Sequence, residues 1–185
     1  MKSKNKEENV HMKTVVIYSS QTGFTRRYAE WIAEAAGADC LELSDAKKKD
    51  FSAYEAIIFG SWACAGGISK IRWFKERIDG WEGKKLIAFC VGGSPMENPD
   101  VEAALNRNFS EPERKKVKVF YCPGGFCYEK MSTISKLMMK MFLKTLKAKK
   151  EKTQDEEAMI KMISSSYDIS DKKYIEPILN CLRNC

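Results

Sequence analysis

The sequence predicts an α/β fold, doubly wound around a parallel sheet of five strands, because short apolar runs alternate along the chain with helical patterns. The runs are rich in β-branched residues, as strands buried on both faces require. They are TVVIYS (14–19), DCLEL (39–43), AIIFGS (56–61), KLIAFCV (85–91) and VKVFYC (117–122). Strands that alternate with helices imply right-handed crossovers, and these give a parallel sheet covered on both faces.

Four helices are predicted from apolar residues that recur every three or four positions. They span Thr25 to Ala36, Ile68 to Ile78, Pro99 to Phe109 and, at the end of the chain, Asp171 to Leu182. The apolar face of the first helix includes Tyr28 and Ile32, that of the second includes Ile71 and Phe74, and that of the third includes Val101 and Leu105.

Length and composition predict one domain. The 185 residues are 44% hydrophobic, no run approaches the roughly 20 apolar residues of a membrane-spanning helix, and the polar start has no apolar signal core. We therefore expect a cytoplasmic protein. Residues 1–12 show no apolar period, so we interpret them as a disordered leader or tag, and residues 13–185 as a single domain.

Cysteine and histidine usage restricts the chemistry. Seven cysteines, an odd number without a secretion signal, indicate reduced thiols. A tetrathiolate zinc site from Cys122, Cys127, Cys181 and Cys185 is conceivable, but neither pair has the usual finger spacing, so we predict no metal. The sole histidine, His11, lies in the leader, which excludes Ser–His–Asp and Cys–His catalysis.

Three loops that follow strong strands are rich in Gly, Ser or Thr: SSQTGFT, GSWACAGGI and VGGSPMENP. In doubly wound sheets, ligands bind at the carboxyl ends of the strands. The first loop can bring the hydroxyls of Ser20, Thr22 and Thr25 and several backbone N–H groups to one anion at a helix N-terminus, and Gly23 lets the turn close. The alternative is a plain helix N-cap, which uses only one of these hydroxyls.

SSQTGFT resembles the phosphate loop of flavodoxins, a pattern of Ser or Thr, any residue, Thr, Gly, any residue, Thr. The similarity continues through AIIFGSWACAGG and AFCVGG and covers about residues 13–121. The resemblance implies the strand order 2-1-3-4-5, an FMN cofactor and two loops that flank its ring. The implied cofactor-binding residues are Ser20, Gln21, Thr22, Gly23, Phe24 and Thr25 at the phosphate, and Ser61, Trp62, Ala63, Cys64, Ala65, Gly66, Gly92, Gly93 and Ser94 at the ring. Trp62 either stacks on the ring or is a half-buried packing residue.

An insertion at about residues 123–170 separates the fifth strand from the last helix. It resembles the insertion of the menaquinone-dependent protoporphyrinogen oxidases in its glycine pair, its aromatic residue and tyrosine, and its methionine- and lysine-rich helix. Here these are Gly124, Gly125, Phe126, Tyr128 and residues 136–147. The resemblance implies oxidation of protoporphyrinogen IX with a quinone as acceptor, a step of heme biosynthesis.

The helix of the insertion is basic and amphipathic, with apolar residues and lysines in separate stripes. Residues 131–150 could contact the inner face of a membrane, or the helix could pack on the domain and point its lysines at water.

Three functions follow from these features. The first is an FMN-dependent oxidoreductase that acts on a porphyrinogen or quinone. The second is an electron carrier that docks on redox proteins, although such carriers are usually acidic and this chain has a net charge of +7. The third is a partner-binding module without flavin. We predict no nucleic-acid partner and name no catalytic acid or base, because the flavin would carry the redox chemistry.

Overall fold

A computed structural model of the protein describes residues 12–184. The predicted leader, apart from Met12, and Cys185 therefore lie outside the described residues. The strands are β1 (Thr14–Tyr18), β2 (Asp39–Glu42), β3 (Ala56–Cys64), β4 (Gly67–Ile68), β5 (Lys85–Gly92), β6 (Val117–Pro123), β7 (Gly125–Phe126) and β8 (Tyr167–Asp168). The helices are α1 (Phe24–Ala36), α2 (Leu43–Ala46), α3 (Ile71–Lys75), α4 (Asp100–Asn106), α5 (Glu111–Lys116), α6 (Thr133–Ala148), α7 (Gln154–Met162) and α8 (Glu176–Arg183).

Five parallel strands form the main sheet in the order β2-β1-β3-β5-β6. This is the predicted order 2-1-3-4-5 of a flavodoxin-like doubly wound sheet, which is confirmed. The order reverses between β1 and β3, so the carboxyl ends of these strands and of β5 open into one crevice, where such sheets bind ligands.

The apolar core lies on both faces of the sheet because successive side chains of each strand point to opposite sides. Val16 faces α1 and α8, where it packs with Tyr28 and Ile178. Val15 and Ile17 face the other layer, which is rich in aromatic side chains. These strands are buried on both faces, as their continuous apolar sequences predict.

The second predicted helix is shorter than expected. The prediction began at Ile68, but Ile68 belongs to β4 and pairs with Ala63 of β3, and α3 begins only at Ile71. The two residues between the paired strands, Ala65 and Gly66, have φ angles of 48° and 77°. Positive φ at both central residues is the requirement of a two-residue type I′ hairpin, which the helical period of the sequence did not reveal.

The insertion folds back on the end of β6. β7 pairs with β8 in an antiparallel ribbon, and the N–H of Ile169 donates to the carbonyl of Gly124 at 2.8 Å. Between the two strands of the ribbon run α6 and α7. α6 begins at the N-cap Ser132, whose hydroxyl accepts from the N–H of Ser135, and it confirms the predicted basic amphipathic helix before the last helix. Within residues 12–184, no helix combines the length and the apolar character needed to cross a membrane.

Candidate cofactor site

The loop between β1 and α1 is a turn with unpaired donors at its centre. The N–H of Ser19 donates to the carbonyl of Gly60 at 2.9 Å, which ties the start of the loop to β3. The N–H of Gly23 donates to the hydroxyl of Ser20 at 3.2 Å. Gly23 has φ 101° and precedes the first residue of α1, so the turn closes in a conformation that a residue with a Cβ adopts only under strain.

The donors of this loop fit a phosphate. In the described part of the chain, the N–H groups of Gln21, Thr22, Phe24 and Thr25 have no protein acceptor, and the hydroxyls of Thr22 and Thr25 have no protein partner. The N-terminus of α1 adds its positive dipole end, and no carboxylate lies in its first turn. The N-cap alternative does not fit, because the N-cap is Gly23 and no side chain caps the helix.

The two arginines of the first turn do not face the turn centre. Arg26 donates to Glu30 at 2.7 Å, and Arg27 donates to Asp168 at 2.5 Å and to Ser170 at 2.7 Å. Although partial burial favours its neutral form, hydrogen bonds from Ser170 and Arg27 hold the pKa of Asp168 below its usual value. Arg27 thus joins α1 to the end of the insertion and leaves anion binding to backbone and hydroxyl donors.

The second predicted loop is the β3–β4 hairpin, in which residues Ser61 to Cys64 still belong to β3. Trp62 is half-buried at the site, and the tip from Ala63 to Gly66 is exposed. The hydroxyl of Ser61 is fully buried and has no hydrogen-bond partner among the described residues. Ser61 lies two residues after Phe59 in the strand and therefore points to the same face as that side chain, away from the turn after β1.

The third predicted loop, after β5, is tightly held by aromatic residues. The hydroxyl of Tyr121 donates to the carbonyl of Ser94 at 2.8 Å, and that of Tyr167 donates to the carbonyl of Gly93 at 2.6 Å. A Cβ on Gly93 would lie 2.4 Å from the ring of Phe126 and 2.7 Å from the hydroxyl of Tyr167, so a glycine is required here. Burial raises the pKa of both tyrosines well above the usual value, so they are neutral donors near pH 7.

A cavity of about 90 Å³ joins the three loops. Of the predicted residues it is lined by Gln21, Thr22, Phe24, Thr25, Trp62, Ala63, Gly92 and Gly93. A second cavity of about 150 Å³, on the α4 side of the hairpin, shares Ala63, Gly92 and Gly93 with the first and adds Gly66 and Ser94. Ser20 and Gly23 shape the first turn, whereas Ser61, Cys64 and Ala65 line neither cavity.

The insertion covers this site. The side-chain amide of Gln21 donates to the hydroxyls of Ser132 and Ser135, at 3.2 and 3.1 Å, at the start of α6. Phe126 and Met131 line the cavity, and Phe126 packs on Tyr167 with 5.4 Å between ring centroids. The sequence marked Phe126 as part of the insertion, but it gave no sign that Met131 and Tyr167 reach the same loops, since they are 36 residues apart in the chain.

The chemistry of the donors fits the phosphate of FMN, and the glycine- and Trp-bearing loops fit a flat ring. Pockets that hold cofactors usually measure about 300–1,000 Å³. The cavity of about 90 Å³ is smaller than this range, and Phe126 and Met131 of the insertion form part of its wall. The donors and loops of the sheet edge therefore fit the cofactor by their chemistry, and residues of the insertion border the same cavity.

Within the described residues, no group of three or more His, Cys, Asp or Glu side chains could hold a metal ion. Cys185, a member of the tetrathiolate set that the sequence raised, lies outside them. Cys90 lies in β5, and burial raises the pKa of its thiol to about 12, so it is an unreactive apolar residue.

The model of one protein family, described as the flavodoxin domain, matches residues 15–153, three quarters of the chain. The chain belongs to the flavodoxin-domain family. This is a family of FMN-binding flavoproteins, so the family assignment confirms FMN as the predicted cofactor. A comparison with curated proteins finds no significant match.

Solved structures resemble this flavodoxin domain only moderately. A WrbA-like flavodoxin from Agrobacterium tumefaciens is 24% identical, with 66% of this chain and 86% of that chain aligned and a TM-score of 0.46. A flavoprotein in complex with FMN from Lactobacillus acidophilus is 15% identical, with 60% and 91% aligned and a TM-score of 0.44. The rubredoxin:oxygen oxidoreductase from Desulfovibrio gigas is 15% identical, with 94% and 37% aligned and a TM-score of 0.41. All three scores are below 0.5, so the family assignment rests on the family model.

Proposed function

We propose that this flavodoxin domain is an FMN-dependent oxidoreductase that oxidises a porphyrinogen, protoporphyrinogen IX in the first instance, and passes the electrons to a quinone. The observation that supports an enzyme is the position of the insertion. It lies directly on the cofactor loops, where Gln21 holds the start of α6 and Phe126 and Met131 form part of the cavity wall.

Each part of the site has a separate task in this proposal. The free N–H groups of Gln21, Thr22, Phe24 and Thr25 and the hydroxyls of the two threonines hold the phosphate of FMN, and the positive end of α1 favours its charge. Trp62, Gly92 and Gly93 border the ring. FMN, when bound, supplies the redox chemistry by accepting and releasing electrons.

The cover from the insertion supports an apolar substrate. Phe126 and Met131 present aromatic and thioether surface to the cavity, and a flexible methionine adapts to a large flat ligand. No described residue that lines this cavity carries an ionisable side chain. The protein therefore offers no acid or base at this point, and its part is to position the reactants and to exclude water.

An electron carrier without its own small-molecule substrate is the second candidate. The exposed tip of the β3–β4 hairpin, from Ala63 to Gly66, supports it, because this tip adjoins the cavity and is accessible to a partner protein. The basic charge of the chain would then select acidic redox partners, the reverse of acidic carriers.

Two measurements test the proposal. The visible spectrum of the purified protein, with and without added FMN, comes first; protein that stays colourless after addition of FMN contradicts both redox functions and leaves the partner-binding module. The second is protoporphyrinogen oxidation with a soluble menaquinone analogue. Flavin-containing protein that oxidises protoporphyrinogen no faster than buffer, but passes electrons from its reduced flavin to a redox protein, establishes the carrier instead.

A further inference from the structure

The outer face of α6 is an apolar strip that the rest of the described chain does not cover. Its large side chains are between 45% and 73% exposed; they are Ile134, Leu137, Met138, Met141 and Phe142. Among the other large apolar side chains of the described residues, only Met96 is exposed, and it is less so, at 38%. A contiguous exposed apolar surface of this kind marks an interaction site in a soluble protein.

The strip and the buried face of α6 lie on nearly opposite sides. Residues advance about 100° around a helix, so the five exposed side chains occupy an arc of about 140°. The residues that face the domain lie on the other side and include Met139, Leu143 and the buried Leu146. The apolar strip is therefore an additional surface and not part of the packing that attaches α6 to the fold.

Lysines border this strip along one edge. Residues 133–150 contain six lysines and no carboxylate. Lys140, Lys144 and Lys147 have no ion-pair partner within the described part of the chain, and the same 100° step places Lys140 and Lys144 beside the arc of apolar side chains. Ammonium groups at this edge complement a surface of phosphate groups next to hydrocarbon.

We propose that α6 docks on an anionic lipid bilayer, with its apolar strip among the upper acyl chains and its lysines at the lipid phosphates. Helices that lie in the membrane interface combine lysines with Leu and Phe on separate faces. Protein interfaces are by contrast depleted in lysine and prefer arginine and aromatic residues. α6 has four lysines, no arginine and one aromatic residue. At about 24 Å its 16 residues are too short to cross a hydrocarbon core of about 30 Å, so the helix lies along the surface.

This inference goes beyond the proposed redox function, because lipid binding requires neither FMN nor substrate. It also places the cofactor cover at the membrane, since the first turn of α6 is the part that Gln21 holds. A quinone dissolved in the bilayer would then be close to the site.

The test is cosedimentation of the full chain with vesicles of phosphatidylcholine containing one quarter phosphatidylglycerol, and with vesicles of phosphatidylcholine alone. We expect binding to the anionic vesicles that weakens as salt is added.

The double substitution Met138→Asp with Met141→Asp should reduce the partition coefficient at least tenfold, whereas Met96→Asp, an exposed methionine elsewhere, should not change it. Lys140→Glu with Lys144→Glu should reduce it by at least about 30-fold, because each lysine contributes about fivefold at an anionic surface. Lys47→Glu with Lys48→Glu, a matched charge change away from α6, should have a much smaller effect.

Three results would overturn the proposal. The first is no binding to the anionic vesicles, and the second is binding that the α6 variants leave intact. The third is a chain that is dimeric by analytical ultracentrifugation, becomes monomeric in the Met138→Asp, Met141→Asp variant and does not bind vesicles, which would make the strip an interface between copies. All variants change exposed side chains, and circular dichroism with a thermal unfolding curve verifies that each is folded. Because the readout is lipid binding alone, a failure here leaves the redox proposal standing, and a failure of enzyme activity leaves this one standing.

Discussion

Replacement of Gly23 by alanine tests the backbone strain of the proposed phosphate loop, because the added Cβ changes the backbone energy without a steric clash. A Cβ built on Gly23 meets no atom within 4 Å, so the substitution introduces no clash. What it changes is the energy of the backbone, because φ at this residue is 101°. Gly80 is the matched control: its Cβ also meets nothing within 4 Å, and its φ lies outside the left-handed region.

The size of the effect follows from this comparison. Both substitutions are glycine to alanine, so their effect on the unfolded chain is the same and cancels in the difference. The remaining term is the cost of a left-handed conformation for a residue with a Cβ, about 1–2 kcal/mol. For a chain of this length, 1 kcal/mol corresponds to about 2–4 °C in Tm. Gly23→Ala should therefore unfold about 2–8 °C below Gly80→Ala.

In the proposed function this loop also holds the phosphate of FMN, so ligand binding gives a second readout. A turn that relaxes its strain moves the free N–H groups of Gln21, Thr22, Phe24 and Thr25 away from a common point. Each hydrogen bond to a charged group contributes about 1.5–3 kcal/mol. Gly23→Ala should therefore weaken FMN binding at least about tenfold, measured by flavin fluorescence, and should leave the affinity for riboflavin, which has no phosphate, unchanged.

Equal Tm values for the two variants would refute the strain at Gly23. An equal loss of affinity for FMN and riboflavin would refute the assignment of this loop to the phosphate, because a ring-binding loop would affect both ligands alike.

Three further predictions concern the same site and its surroundings. Thr25→Val removes the hydroxyl of a buried residue at nearly constant shape. It should weaken FMN binding by about tenfold in a fluorescence titration and leave riboflavin binding unchanged. Thr14→Val, a buried threonine at the opposite end of β1, is the control and should leave both affinities unchanged. Met131→Ala removes part of the cover, so stopped-flow mixing should show FMN associating several-fold faster; an unchanged rate would mean that the cover does not limit access. Burial raises the pKa of the Tyr167 hydroxyl and of the Cys90 thiol, the latter to about 12, so both groups hold their protons more tightly in the folded state. Their contribution to stability is complete below the ordinary pKa values of about 9–10 and is lost as the pH rises above them, at up to about 1.4 kcal/mol per pH unit for each group. Urea unfolding at pH 7.5, 9.5 and 10.5 should show this loss, and a free energy of unfolding that stays constant would contradict it.

The main sheet was predictable because its information is local. Strands such as β1 and β5 are buried on both faces, so nearly every position after the first is apolar and the pattern is visible in six or seven consecutive residues. The short helices α2, α5 and α7 were missed, since four to nine residues give too few turns for a clear apolar period. Both α5 and α7 do carry capping boxes, Ser110 with Glu113 and Thr153 with Glu156, which were the signals available for them.

The candidate site was predicted in part for the same reason. The turn from Ser20 to Thr25 holds its donors within six residues, so sequence and chemistry together mark it. The ring-binding role of the other two loops stays a prediction; the structure places both at the same edge of the sheet, after β3 and β5. Ser61 lies within β3 on the same face as Phe59 and lines neither cavity, because strand side chains alternate in direction.

The sequence by itself determined the α/β class, the position of the hydroxyl-rich loop after the first strand, and the presence of a basic amphipathic helix, because each depends on residues close together in the chain. Only the tertiary structure decided where that helix lies and which side it presents. The pattern alone left both orientations open, since an apolar stripe can face a core or the outside. The hydrogen bonds from Gln21 to Ser132 and Ser135, more than 100 residues away, fix the start of α6 on the cofactor loops. The packing of Met139, Leu143 and Leu146 then leaves the larger apolar face on the outside.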